Sequence, residues 1–216
     1  MAVFLSIGTG PGIGLATAER FAEEGFDTVL ASRTPSRLAI YAEAIRKGGH
    51  ACESRPVDVA DAQSVSSLVA GVLDHHGAID VLHYNAASLR RAGIADQPAD
   101  SFVADLSVNI AGAMVAIQAV SPSMFARSRG TILITGGQFG QKPRPDYISL
   151  SVGKSGLRTL VLGLFETFKA KGVHIAIANV AGPIDPASDL PAGVADCLWR
   201  LHSAPRDAWV AEAPYP

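Results

Sequence analysis

Apolar residues fall in short runs along this chain, bounded by glycine or polar turns. The runs "AVFLSI" (2–7), "TVLAS" (28–32), "VLHYNA" (81–86), "TILIT" (131–135) and "VHIAIANV" (173–180) are each four to eight residues long. That length and near-continuous apolarity predict strands buried on both faces. Between them, Val65, Leu68, Val69, Val72 and Leu73 recur at i, i+3, i+4, i+7 and i+8, the spacing of one apolar helix face. "HACESRPVDV" (50–59) is a weaker strand, and "AWVAEA" (208–213) reads as a final edge strand. The order βαβαβαβ with right-handed crossovers predicts a single-domain, Rossmann-type α/β fold: a doubly wound, mostly parallel sheet with helices on both faces. No repeat, low-complexity segment or linker divides residues 1–216. The irregular "GPIDPASDLPA" (182–192) is expected to loop over the active face.

Composition removes several function classes. With 48% hydrophobic and 18% charged residues, the 216-residue chain has ordinary globular composition. A net charge of −2 with interspersed charges offers no basic surface for nucleic acid. The opening "MAVFLSIGTGPGIG" lacks the basic start of a signal peptide, and no run approaches the roughly 20 apolar residues of a membrane span. Cys52 and Cys197 are too few and too far apart for a disulfide framework or a metal site. The expected compartment is the cytoplasm, with no membrane or nucleic-acid partner.

The first strand runs straight into Gly8-Thr9-Gly10-Pro11-Gly12-Ile13-Gly14, which opens a helix. Glycines there let the backbone turn tightly and approach a pyrophosphate, whose charge then meets a helix N-terminus. This position after the first strand points to nucleotide binding. At the end of the second strand, where a carboxylate would accept the adenine-ribose hydroxyls, the chain reads Ala31-Ser32-Arg33-Thr34. Arg33 suits a 2′-phosphate through a charge-assisted contact and Ser32 adds a hydroxyl, so NADP(H) is favoured over NAD(H).

These residues give the chain a resemblance, over nearly its whole length, to the short-chain dehydrogenase/reductase family. The family's T-G-x-x-x-G-x-G loop matches Gly8, Gly12 and Gly14, with Ile7 in place of the threonine. Its adenine-contacting aspartate matches Asp58, followed by Val59; its N-N-A-G turn matches Asn85 and Ala86 within Tyr84-Asn85-Ala86-Ala87. The helix asparagine that supports the catalytic lysine matches Asn109, and the P-G turn corresponds to Ala181-Gly182-Pro183-Ile184. The resemblance implies a nicotinamide cofactor held by these residues, hydride transfer, and pairing into a homodimer or homotetramer through the helix Ser151 to Lys169.

The chemistry departs from the family. Its catalytic lysine matches Lys154, but the tyrosine four residues earlier is Leu150, and the serine position falls on Gly137. Losing a general acid typically costs 10²- to 10⁴-fold in rate. Tyr147 lies three residues before Leu150 and seven before Lys154, on the same face if the helix extends that far, and is the candidate displaced proton donor. Thr135 ends the fifth strand and is a candidate for the missing hydroxyl; Ser149 and Ser151 flank Leu150. His83 reads as a satisfied interior histidine, and His75-His76 as a solvated helix end. The segment from Pro183 to Leu190 is short for a substrate lid, which implies an open site with room for a bulky ligand. Three functions fit: an NADP(H)-dependent oxidoreductase of a carbonyl or alcohol with an unusual proton donor, a catalytically degenerate NADP(H)-binding sensor or scaffold, and a reductase of activated alkenes or imines protonated by solvent.

Overall fold

A computed structural model describes residues 1–182 and 184–215. Seven strands, β1 (Val3–Ile7), β2 (Asp27–Ser32), β3 (Cys52–Pro56), β4 (Val81–Tyr84), β5 (Gly130–Thr135), β6 (Val173–Val180) and β7 (Glu212–Tyr215), form one sheet in the order β3-β2-β1-β4-β5-β6-β7. Every neighbouring pair is parallel. All five apolar runs are strands, and every residue of β1, β4 and β6 is buried. The weaker segment 50–59 forms only Cys52–Pro56, a partly exposed edge strand. The run 81–86 stops at Tyr84, because Asn85 turns out of the sheet to donate its Nδ2 to the Gly8 carbonyl at 3.0 Å. The last strand is shifted from 208–213. Trp209 instead stacks on His174 with ring centroids 4.8 Å apart and donates its indole N–H to the Ala204 carbonyl, so pairing begins at Glu212.

Two apolar cores flank the sheet. On one face, α1 (Ile13–Glu23), α2 (Pro35–Lys47) and α7 (Leu190–Ser203) bury Phe21, Leu38, Ile45 and Leu198 against Phe4, Leu30 and Leu133. On the other, α3 (Ala62–His76), α5 (Gly112–Ala126) and α6 (Ile148–Ala170) lie over Leu5, Leu82 and Ile132, with α4 (Ala99–Leu106) packed against α6. The periodicity at 65–73 is that of α3, which starts where the Asp61 carboxylate accepts from the Gln63 N–H at 2.9 Å and ends at left-handed Gly77. Each fully buried aliphatic side chain contributes about 1.5–3 kcal/mol.

The helical stretches Ala99–Ala126 and Ile148–Ala170 are long and apolar enough to cross a membrane, contrary to the expectation from the sequence. Part of that apolarity faces the sheet, where α5 buries Ala113, Ala116, Ile117, Val120 and Met124 in the core. Between α4 and α5 the chain widens into a π-helical turn, Ser107–Ala111. The strand order reverses between β1 and β4, which places a crevice at the carboxyl ends of these strands.

Candidate functional site

The glycine loop closes one side of that crevice. Gly8 has φ +89°, and a Cβ there would lie 2.6 Å from the Ala86 Cα, so the β1–α1 turn and the β4 turn meet at a point only glycine fits. Gly10, Gly12 and Ile13 line the crevice, and α1 begins at Ile13 with Gly14 buried in its first turn. The first N–H groups of α1 lack intrahelical partners and carry partial positive charge. Thr9 does not turn its hydroxyl toward the crevice. That group donates to the Ser6 carbonyl at 3.0 Å, leaving only the Thr9 backbone for a ligand. The side-chain-free floor, the helix start and a nearby lysine fit an extended dinucleotide.

Beyond the loop lies a cavity of about 480 Å³. Asn85, Lys154, Gly182 and Ile184 line it, as do Thr135, Gly137, Tyr147 and Leu150. Pro183 lies outside the described residues. Lys154 is 8% exposed, and its ammonium donates to the Thr135 carbonyl at 2.8 Å. Burial pushes its pKa down to about 8, which leaves it mostly protonated at neutral pH.

Asn109 sits in the π-helical turn, where its Oδ1 accepts from the Ser88 N–H at 2.7 Å. It also faces Gly153, the residue before Lys154; a Cβ at Gly153 would approach the Asn109 Cβ to 2.5 Å. The asparagine therefore joins the loop after β4 to the lysine helix.

The hydroxyl candidates separate clearly. Tyr147 is not on the helix face inferred from spacing: it is the N-cap of α6, at φ −138°, ψ 49°, and its carbonyl accepts from the Ser151 N–H at 2.8 Å. Freed from helical geometry, its ring lies 5.4 Å from Phe139 and lines the cavity. Thr135 fails as a substrate donor, because its hydroxyl is hydrogen-bonded to His83 Nε2 at 2.9 Å. Strand alternation turns that side chain under the sheet while its carbonyl holds Lys154. Ser151 is bonded to the Arg144 backbone and Ser149 donates to Asp105 at 2.8 Å. Leu150 is 5% exposed and contributes an apolar wall. Gly137 has extended backbone (φ 179°, ψ 151°), and a Cβ there would lie 3.6 Å from Lys154 Cε, an ordinary contact.

His83 is half satisfied: it is fully buried, Nδ1 has no partner, and burial pushes its pKa down to about 3. Only part of the His75-His76 pair is solvated, since His76 Nε2 lies 3.1 Å from Glu53 Oε1.

The residues expected around the adenosine half, Ser32, Arg33, Asp58 and Val59, are not among those lining the cavity. Ser32 ends β2, its backbone carbonyl accepting from Val57, and Arg33 is exposed just before α2. Arg37, exposed in the first turn of α2, is a second cation four positions after Arg33 in sequence. The Asp58 carboxylate accepts from the Ala60 N–H at 3.0 Å, forming the turn that leads into α3, while Val59 is buried beside Gly112.

Nothing in the local pattern singles out Asp105, yet it is a buried hub. It accepts from Ser88 Oγ (2.5 Å), Arg90 Nε (2.8 Å), Gln97 Nε2 (3.1 Å) and Ser149 Oγ (2.8 Å). These contacts fasten the 88–97 segment to the first turn of α6, and the donors hold the carboxyl below its ordinary pKa against the opposing effect of burial. Opposite that segment, α7 begins at Leu190, so no helix intervenes over 184–189.

Residues 2–188 match the sequence profile of the family described as short chain dehydrogenase. An uncharacterized oxidoreductase of Staphylococcus saprophyticus is 31% identical over 169 residues, 78% of this chain and 72% of that protein. Among solved structures, a metagenomic short-chain oxidoreductase in complex with NADP superposes with a TM-score of 0.91 at 25% identity, over 99% of this chain and 96% of the other. An NAD⁺-bound xylitol dehydrogenase shares the fold at a TM-score of 0.88 and 23% identity, over 99% and 96% of the two chains.

Proposed function

The chain belongs to the short-chain dehydrogenase family, and from that premise we propose that it is an NADP(H)-dependent oxidoreductase of a small carbonyl or alcohol, with Tyr147 as its proton donor. One observation carries the reading: among the described residues lining the cavity, Tyr147 has the only hydroxyl not already bonded inward, and Lys154 shares that cavity. The cofactor supplies the hydride when bound. The loop Gly8 to Gly14, Asn85 and Ala86, Lys154, and the turn at Gly182 and Ile184 would hold it. Arg33 favours a 2′-phosphate, with Arg37 a second exposed cation near it in sequence, and Asp58 and Val59 would hold the adenine end.

Tyr147 gives its proton to the developing alkoxide, or takes it from the alcohol in reverse. The buried Lys154 lines the same cavity, tethered to the Thr135 carbonyl. Asn109 keeps the 88–97 segment and the lysine helix in register. Exposed Met114, Val152 and Leu162 on α5 and α6 support pairing with a second copy.

Tyr147→Phe tests the donor. Turnover of a panel of aldehydes and ketones is expected to fall by about 10²- to 10⁴-fold with the NADPH dissociation constant unchanged. Unchanged turnover would remove Tyr147 from the mechanism. A second reading, a nucleotide-binding protein without catalysis, is favoured by the absence of a side chain at Gly137 and by apolar Leu150. Tight NADPH binding without turnover of any carbonyl would establish it.

A further inference from the structure

The mouth of the cavity combines two kinds of surface. Leu89, Phe139, Tyr147, Leu150, Val180 and Ile184 give it an apolar lining, and Leu89 is 75% exposed, an uncovered apolar side chain at the opening. Three exposed cations stand on the two segments that carry lining residues Leu89, Phe139 and Tyr147: Arg91 (76% exposed), Arg144 (57%) and Lys142. Each is tied closely to a lining residue. Arg91 lies two positions after Leu89, and the next residue, Ala92, bridges to Tyr147 and accepts from the Ile148 N–H at 3.2 Å. Lys142 donates its backbone N–H to the Gln138 carbonyl at 2.7 Å, and the Tyr147 backbone N–H donates to the Arg144 carbonyl at 3.1 Å.

These charges are poorly neutralised. Arg90, next in sequence, is fully engaged by Asp105. Arg91 and Arg144, by contrast, share the single carboxylate of Asp146 at 3.9 and 3.3 Å. Neither contact is a formed hydrogen bond, and Asp146 Oδ1 is buried with no hydrogen-bond partner. With Arg90 paired to Asp105, the three cations face two carboxylates, Asp146 and Asp96, the latter placed at Gly93 beside Pro145, and an excess of +1 remains in a chain whose net charge is −2. Guanidinium forks that are not committed to a partner are suited to bidentate capture of an oxyanion.

Resting on the oxidoreductase reading above, we propose that the substrate is an anionic amphiphile: a carbonyl or alcohol compound with an apolar body in the cavity and a carboxylate or phosphate held at its mouth by Arg91, Lys142 and Arg144. The short connection over 184–189 leaves the opening uncovered, so the charged end of such a molecule remains at the solvent boundary, where desolvation is small. The anion fixes the orientation, and the apolar body contributes the bulk of the affinity.

The test uses matched acids and methyl esters: 4-formylbenzoate and 4′-formylbiphenyl-4-carboxylate against their esters. Binding is measured calorimetrically on the full chain saturated with NADP⁺, where reduction does not occur, and turnover is measured separately with NADPH. At least one acid is expected to bind about tenfold more tightly than its ester at low ionic strength, with the preference shrinking as salt rises. In the triple variant Arg91→Gln/Lys142→Gln/Arg144→Gln that preference disappears while ester binding holds. If every acid and ester bind alike, or the preference survives in the variant, the proposal is wrong. Equal kcat/KM for acids and esters would sink the proposal and leave the oxidoreductase reading intact. An acid preference in binding with no turnover of any aldehyde would do the reverse.

Discussion

If Tyr147 replaces the family's tyrosine, returning the family's own groups should make it dispensable. The perturbation is Leu150→Tyr with Gly137→Ser, placed in a Tyr147→Phe background. The structure accommodates both. Leu150 lines the cavity, so a larger ring extends into open space, and the Gly137 backbone is extended with Lys154 Cε 3.6 Å from the new Cβ. A phenol at 150 lies one helical turn before Lys154 on the same face. A unit positive charge roughly 4 Å away, at an effective dielectric near 20, favours phenolate by about 4 kcal/mol, enough to bring a phenol from about 10 to near 7. Lys154, with its pKa at about 8, carries that charge at neutral pH. The triple variant should therefore regain about 10²- to 10³-fold in kcat over Tyr147→Phe alone. The assay is NADPH consumption with a fixed aldehyde, after calorimetry has shown that all variants bind NADPH alike. A folded, NADPH-binding triple variant no faster than Tyr147→Phe would show that a missing proton donor is not what separates this site from its relatives.

Three other outcomes follow from the geometry. Gly8→Ala places a Cβ against the Ala86 backbone at φ +89°, so it should cost at least about 2 kcal/mol, read as a lowered urea midpoint, and weaken NADPH binding; wild-type stability and affinity would contradict the close approach. Arg33→Ala should raise the NADPH dissociation constant by about 10- to 100-fold while leaving NADH within a few-fold, and equal losses for both nucleotides would remove Arg33 from 2′-phosphate recognition. His83 is held neutral, with a folded pKa of about 3 against 6.5 for the free side chain. Below 6.5 the unfolded chain thus binds a proton that the folded chain does not, and stability declines with falling pH down to about 3. This group alone should remove about 2 kcal/mol between pH 7 and pH 5. His174 and His202, also depressed mainly by burial, act in the same direction. Urea melts at the two pH values should show the loss, and His83→Gln should flatten it; equal wild-type midpoints would refute it.

Sequence periodicity determined the fold to within a few residues, because a strand buried on both faces must be apolar along its whole length. Val3–Ile7 and Val173–Val180 could be read for that reason, and the less apolar edges, β3 and β7, were trimmed or displaced. The glycine spacing determined the β1–α1 turn, since few other residues tolerate φ near +90° against a neighbouring backbone. The sequence also determined what is missing: a leucine and a glycine stand where the family has hydroxyls.

Tertiary structure alone decided which remaining groups are available. The sequence offers Tyr147 as proton donor and Thr135 as the missing hydroxyl, yet strand alternation turns Thr135 onto His83 while the start of α6 leaves Tyr147 in the cavity. Asp105, His83 and Arg91 find their partners up to 55 positions away. Side-chain orientation and partnership across elements are set by packing and hydrogen bonding in three dimensions, and a linear pattern carries only the local periodicity from which those elements form.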